Sequence, residues 1–181
     1  TVLRHNQARR AQEFQAGVVG MMLLAIDPGS TESAYVLMDG YRPVDFGKVP
    51  NERLKRLICD RGFATWPDVV AIEMIASYGM AVGREVFDTC VWIGRYSLAM
   101  ELGGTAVEYV YRQEVKLNLC GSSRAKDANV RQALIDRFAT HDRKNGKGTK
   151  AAPDWFYGFK ADVWQAYAVG CTYLDTKGVM T

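Results

Sequence analysis

Val18-Val19-Gly20-Met21-Met22-Leu23-Leu24-Ala25-Ile26 is an almost unbroken apolar run that stops abruptly at Asp27-Pro28-Gly29-Ser30-Thr31. It is much shorter than the ~20 residues of a membrane span. Arg4, Arg9 and Arg10 precede it, as in a secretory leader, but it leads into a Pro-Gly turn and not into a small-residue cleavage site. A central strand covered on both faces fits it best. Downstream, Ser33 to Met38 reads as a second strand. Asp39-Gly40 is a hairpin turn signal into a third strand, Val44 to Val49. The start of the chain therefore predicts three successive antiparallel strands.

Beyond them the period changes. Leu54, Leu57 and Ile58 recur at helical spacing after Pro50 and the pattern closes near Gly62. Val69 to Glu73 is a short β-branched run expected of a buried parallel strand. Arg84 to Leu102 reads as a long amphipathic helix stopped by Gly103-Gly104, and Ala106 to Tyr111 as a fifth strand. Gln113 to Leu119 is a helical turn, and Ala128 to Phe138 and Ala161 to Asp175 are helices. This order predicts an α/β fold: a mixed five-stranded sheet, three antiparallel then two parallel strands, flanked by helices.

The chain has 181 residues, 48% of them hydrophobic and 24% charged, and a net charge of +3. That is enough chain for one core and too apolar for disorder, so a single domain over residues 18–176 is expected. Residues 1–17 read as a flexible basic arm and 177–181 as a tail. Cys59, Cys90, Cys120 and Cys171 are far apart, and His5 and His141 are the only histidines. No zinc spacing can be assembled from them, and the thiols read as reduced, buried and cytosolic. His141 to Lys150 has no apolar anchor, so 141–159 is expected to be a mobile basic loop. Trp155, Phe156 and Tyr157 follow it. They either offer faces to nucleobases beside the loop cations or pack back on the domain.

The chemistry-bearing residues cluster at element ends. Asp27 ends one apolar strand and Glu73 another, and two ionised carboxylates at neighbouring buried strand ends call for a cation. An all-oxygen set without nearby histidine favours magnesium, with manganese as a substitute, over zinc. Asp162, at the start of the last helix, is the expected third acid. Gln165 shares its helical face as a neutral oxygen.

Four motifs in order carry a resemblance: Leu24-Ala25-Ile26-Asp27-Pro28-Gly29, Ala71-Ile72-Glu73, Val115-Lys116 leading to Gly121-Ser122-Ser123-Arg124-Ala125-Lys126-Asp127, and Lys160-Ala161-Asp162. Together they resemble the RuvC-type Holliday junction resolvases of the ribonuclease H-like superfamily, some of them bacteriophage-encoded, over about Leu23 to Tyr173. The resemblance implies a homodimeric, Mg2+-dependent endodeoxyribonuclease that nicks four-way DNA junctions in the cytoplasm of a bacterial cell or phage-infected host, with forks and flaps as further substrates. Asp27, Glu73 and Asp162 would be metal ligands and, with Gln165, the catalytic set. Gln165 stands where the family usually has a second acid on the helix, which leaves three carboxylates or a fourth such as Asp154. Lys116 and Lys126 fall where the family meets DNA, with Arg112, Arg124 and Arg131 in the same stretch. Arg143, Lys144 and Lys147 of the basic loop would add contacts. Tyr78 or Met80 would stack at the branch point, although the counterpart of the family's wedge aromatic is Ala76.

The surplus apolar surface of the helix from Arg84 to Leu102, with Val86, Phe87, Cys90, Val91, Ile93, Leu98 and Trp92, suits a twofold interface. Two other readings remain at this point. Asp27-Pro28-Gly29-Ser30-Thr31 also looks like the first phosphate loop of actin-like kinases and ATPases, which need far more chain. The other is a branched-DNA-binding module with catalysis weakened by Gln165.

Overall fold

A computed structural model describes residues 20–77, 79 and 81–177. The expected arm 1–17, Tyr78 and Met80, and the tail beyond Lys177 lie outside the described residues. The strands are β1 (Met22–Asp27), β2 (Glu32–Asp39), β3 (Arg42–Pro50), β4 (Val69–Met74) and β5 (Ala106–Tyr111). The helices are α1 (Asn51–Cys59), α2 (Arg84–Leu102), α3 (Arg112–Cys120), α4 (Asp127–Phe138) and α5 (Val163–Thr176). The sheet order is β3-β2-β1-β4-β5. β1–β2 and β2–β3 are antiparallel, and β1–β4 and β4–β5 are parallel, as the sequence predicts.

Alternation along the strands sorts the core into two layers. Leu23, Ala25, Val69 and Ala71 pack with Val115, Leu134, Phe138, Phe156, Phe159 and Tyr167, beneath α3, α4 and α5. Leu24, Ile26, Val70 and Ile72 pack with Leu54, Ile58, Ile93, Tyr96 and Met100, beneath α1 and α2. α5 is buried along almost its whole length, which matches its nearly all-apolar sequence. A side chain at Gly170 would collide with the Met38 sulfur and come within 3.0 Å of Ala25 Cβ. The missing Cβ thus lets α5 lie directly on β1 and β2.

Several expectations are corrected. Cys59 and Cys90 are exposed, and of the four thiols, all free, only Cys171 is fully buried. The inward face of α2 is Thr89, Ile93, Tyr96, Ser97 and Met100, a partly polar face that a count of apolar residues overlooks. Phe87, Val91, Leu98 and Leu102, spaced four, seven and four residues apart, point outward, more than half exposed. Trp92 packs against Tyr96 and carries the Arg95 guanidinium 4.5 Å from its ring centroid.

The segment 141–159, lacking apolar residues in its first half, is anchored by a polar one. Asp154 has a fully buried carboxylate that accepts hydrogen bonds from the backbone N–H of Thr140, His141, Asp142 and Trp155 at 2.7–2.9 Å, and from the Thr140 hydroxyl. Burial alone would raise its pKa, but these donors hold the carboxyl far below the usual carboxylate range. Asp154 is thereby engaged in building the loop and is not a fourth acid for the site. Phe156 is buried and Trp155 stacks on Phe138, so they pack back on the domain, while Tyr157 is exposed.

Candidate active site

The register fixes where the acids fall. Leu23 and Ala25 face α5, so Asp27, next on that face, does too; on β4 the same parity carries Val69 and Ala71 to Glu73. Because Ile26 lies beside Ile72, Asp27 and Glu73 sit side by side one step beyond, at the carboxyl ends of parallel neighbours. The chain leaves β1 toward β2, and β4 occupies its other side. That is the switch point at which open α/β sheets bind ligands.

The turn after Asp27 is held from within. Gly29 has no room for a side chain, since a Cβ would run into the Glu32 carbonyl. Its own carbonyl accepts the Asn51 amide at 2.9 Å. Ser33 donates to Asn51 Oδ1 at 2.7 Å and lies 3.2 Å from the Tyr96 hydroxyl. This buried network from β2, α1 and α2 fixes the exit of β1.

Asp27 and Glu73 stand together in one cleft, close enough for each carboxyl to perturb the other's titration. Burial, then the charges of Glu73 and Asp162, push Asp27 up to about 8, only partly opposed by Arg112. Burial also raises Glu73, against the pull of Arg112 and the Asp27 hydrogen bond. The two acids, with Pro28, Met74, Ile75, Ala76 and Arg112, line a cleft of about 220 Å³.

Asp162 occupies the N-cap position of α5 without a capping hydrogen bond from its side chain, after Ala161 in the left-handed region at φ 41°. Its charge is felt at Asp27, but its carboxylate is 2.7 Å from Lys48 Nζ. Among the described residues, no three His, Cys, Asp or Glu side chains form a group that could hold a metal ion. Of the three acids expected to converge, Asp27 and Glu73 share the cleft, while Asp162 lies near enough for its charge to reach Asp27 and is paired with Lys48. The cause is electrostatic, since neighbouring carboxylates repel and each finds the nearest cation. Nothing in the sequence marks Lys48. It sits on the same row as Asp27, with Ala34 between them, a relation visible only once the strand register is known.

Gln165 does reach the site. Its Oε1 accepts a 2.7 Å hydrogen bond from Arg112 Nη1, which is also 3.4 Å from both Glu73 oxygens; Arg112 Nη2 donates to Asp127 at 2.6 Å. Arg112, expected on a DNA-facing surface, thus lies inside the carboxylate cluster. Lys116 on α3 is half-buried, and Arg124 and Lys126 in the turn before α4 are exposed. Arg131 is stacked over Trp164 at 4.6 Å. In the loop, Arg143 donates to the Asp136 carbonyl at 3.0 Å, Lys144 is exposed and Lys147 is half-buried.

No family model matches the sequence, and no curated protein matches it. Among solved structures, Thermus thermophilus RuvC superposes with a TM-score of 0.61 at 19% identity, over 84% of this chain and 93% of that one. The fold is that of RuvC. T. thermophilus RuvC in complex with a Holliday junction substrate gives a TM-score of 0.62 at 17% identity, over 84% and 92% of the two chains. The yeast mitochondrial Holliday junction resolvase Ydc2 gives 0.55 at 9%, over 91% and 86%. The mixed sheet flanked by helices is thus the RNase H-like frame of RuvC, and the Asp27–Glu73 pair lies at its switch point.

Proposed function

We propose that this protein is a divalent-metal-dependent endonuclease acting on four-way DNA junctions, and on forks and flaps as further branched substrates, as a homodimer. One observation carries the reading: two mostly buried carboxylates, Asp27 and Glu73, stand side by side in one cleft at the switch point of a RuvC fold. Two neighbouring acids in a cleft, both raised by burial, are the pattern of a functional-site candidate. Its hard oxygen donors suit magnesium or manganese. Asp27 and Glu73 would hold such an ion, joined by Asp162 once it parts from Lys48. Bound there, the ion would neutralise charge at the scissile phosphate and acidify a water for in-line attack.

The chain's own part is to position and to exchange protons. Asp27, its pKa raised by burial and by Glu73, gives up its proton when the ion arrives, while Arg112 and the Ser33–Asn51–Tyr96 network keep the two carboxylates in place. Lys48, freed from Asp162, is left to meet a DNA phosphate. Lys116, Arg124 and Lys126, together with Arg143, Lys144 and Lys147, supply phosphate contacts that fix register without reading sequence. No helix among the described residues is long and apolar enough to cross a membrane. A site of action in the cytoplasm of a bacterial cell or phage-infected host follows from the proposed substrate.

The outward stripe Phe87, Val91, Leu98 and Leu102 on α2 supports the dimer, since a second copy related by a twofold axis would cover both stripes. The weakened DNA-binding module keeps one observation in its favour, that Gln165 and Asp162 are engaged by Arg112 and Lys48. Cutting rates on a junction, a fork, a flap and a linear duplex, each with magnesium, manganese or EDTA, separate the readings. The nuclease cuts the junction fastest and is silent in EDTA. Tight junction binding without cutting in either metal would favour the module.

A further inference from the structure

A cavity of about 480 Å³ opens between α1 and α2, on the face of the sheet opposite to that from which Asp27 and Glu73 project. Ile58, Trp66 and Ala99 line it, together with Leu98 and Leu102 of the outward α2 stripe. Lys55, Arg61 and Arg95 line it as well, and no described carboxylate does. Glu52 answers two of these charges in part, at 3.9 Å from Lys55 and 4.0 Å from Arg95. Arg61 donates to the Gly103 carbonyl at 2.9 Å and lies 4.7 Å over the Trp66 ring. An apolar hole among cations is complementary to an apolar side chain flanked by acids.

Such a side chain stands at the other end of the same helix. Phe87 is 60% exposed, and Glu85 and Asp88, the latter 3.5 Å from Arg84, are its neighbours in the first turns of α2. Phe87 and Leu102 are about 22 Å apart along the helix, so a chain cannot fill its own cavity. A second copy can. Gly94 lies midway between them, exposed, with open space where a Cβ would stand. Glycine is unfavourable inside an exposed helix, but it lets a second helix cross closely. A twofold axis beside Gly94 and perpendicular to α2 makes the helices antiparallel and sets residue 87 of one copy opposite residue 101 of the other, between Leu98 and Leu102. A parallel pairing would instead set Phe87 beside Phe87 and leave both cavities unfilled.

We infer that the cavity between α1 and α2 receives Phe87 of the partner subunit, with Asp88 of the partner subunit beside Arg61 and Arg95, so that two reciprocal contacts lock an antiparallel dimer about Gly94. The inference rests on the homodimer reading and deepens it by naming the residues that meet.

Sedimentation velocity of the intact protein at micromolar concentration tests this. Phe87→Ser removes the knob and Leu102→Glu spoils the hole, at positions 60% and 81% exposed, so the core is left alone, which circular dichroism checks. Each variant by itself is expected to dimerise at least about tenfold more weakly than the wild type. A mixture of the two regains dimers, because Phe87 of the one still meets the intact cavity of the other. Ala99→Trp, which fills the cavity, should behave as Leu102→Glu does. A Phe87→Ser protein as dimeric as the wild type, or a mixture as monomeric as its components, would overturn the inference and leave the homodimer reading standing. A monomeric wild type would overturn both, while junction cutting decides the nuclease reading separately.

Discussion

Asp27 is the residue at which fold and chemistry oppose each other. Its pKa, pushed up from 3.8 to about 8 by burial and by Glu73 and Asp162, means that the folded chain holds this proton more tightly than the unfolded chain. For an acid raised in this way the folded state binds the extra proton between the two values. Stability is therefore full below about pH 4 and falls as pH rises toward 8. Asn imitates the protonated acid. In EDTA, Asp27→Asn is expected to match the wild type in urea unfolding near pH 4 and to exceed it at pH 8 or above by of order 3 kcal/mol. A wild type that gained stability over that window would contradict the raised pKa of Asp27. From the sequence, Asp27 and Glu73 were legible because a carboxylate ending an apolar strand is conspicuous. Lys48 and the position of Arg112 were not, because both depend on which strands lie side by side.

At the scale of elements, α5 and the loop before it position the second half of the site. Gly170 lets α5 approach β1 and β2, and Gly170→Ala would push its methyl against Met38 and Ala25. Overpacking here is expected to cost about 1–3 kcal/mol, partly offset by about 1 kcal/mol of helix propensity, and to lower cutting by shifting Gln165. Thermal unfolding and a junction assay would check the two effects. The loop 140–155 depends on Asp154, whose Asn variant keeps the shape but loses the charge and half of its accepting capacity. Asp154→Asn should cost about 2–3 kcal/mol in denaturant unfolding, since it leaves buried N–H groups poorly met. Helices and strands were readable because their hydrophobic periods are strong. The loop was not, because its anchor is a single acid whose partners are backbone N–H groups, invisible in composition.

At the scale of the whole molecule, two layers of core on one mixed sheet leave the α2 stripe as apolar surface without a partner among the described residues. The surplus itself was legible, but which residues make it was not. The helix buries Thr89, Tyr96 and Ser97 and leaves Phe87 and Leu98 outside. Leu98→Glu is expected to convert a dimer to a monomer at micromolar concentration by light scattering, with the fold unchanged by circular dichroism. A wild type that is already monomeric would contradict the interface.

The central claim is that Asp27 and Glu73 form the centre of a junction-cutting nuclease. It is tested most directly by incubating an immobile four-way junction, end-labelled on each strand in turn, with wild type and Asp27→Asn in Mg2+, while measuring binding by gel shift. The account predicts paired nicks near the branch point by the wild type, and intact junction binding with cutting lost at least a hundredfold in the variant. Equal nicking by the two proteins would contradict it.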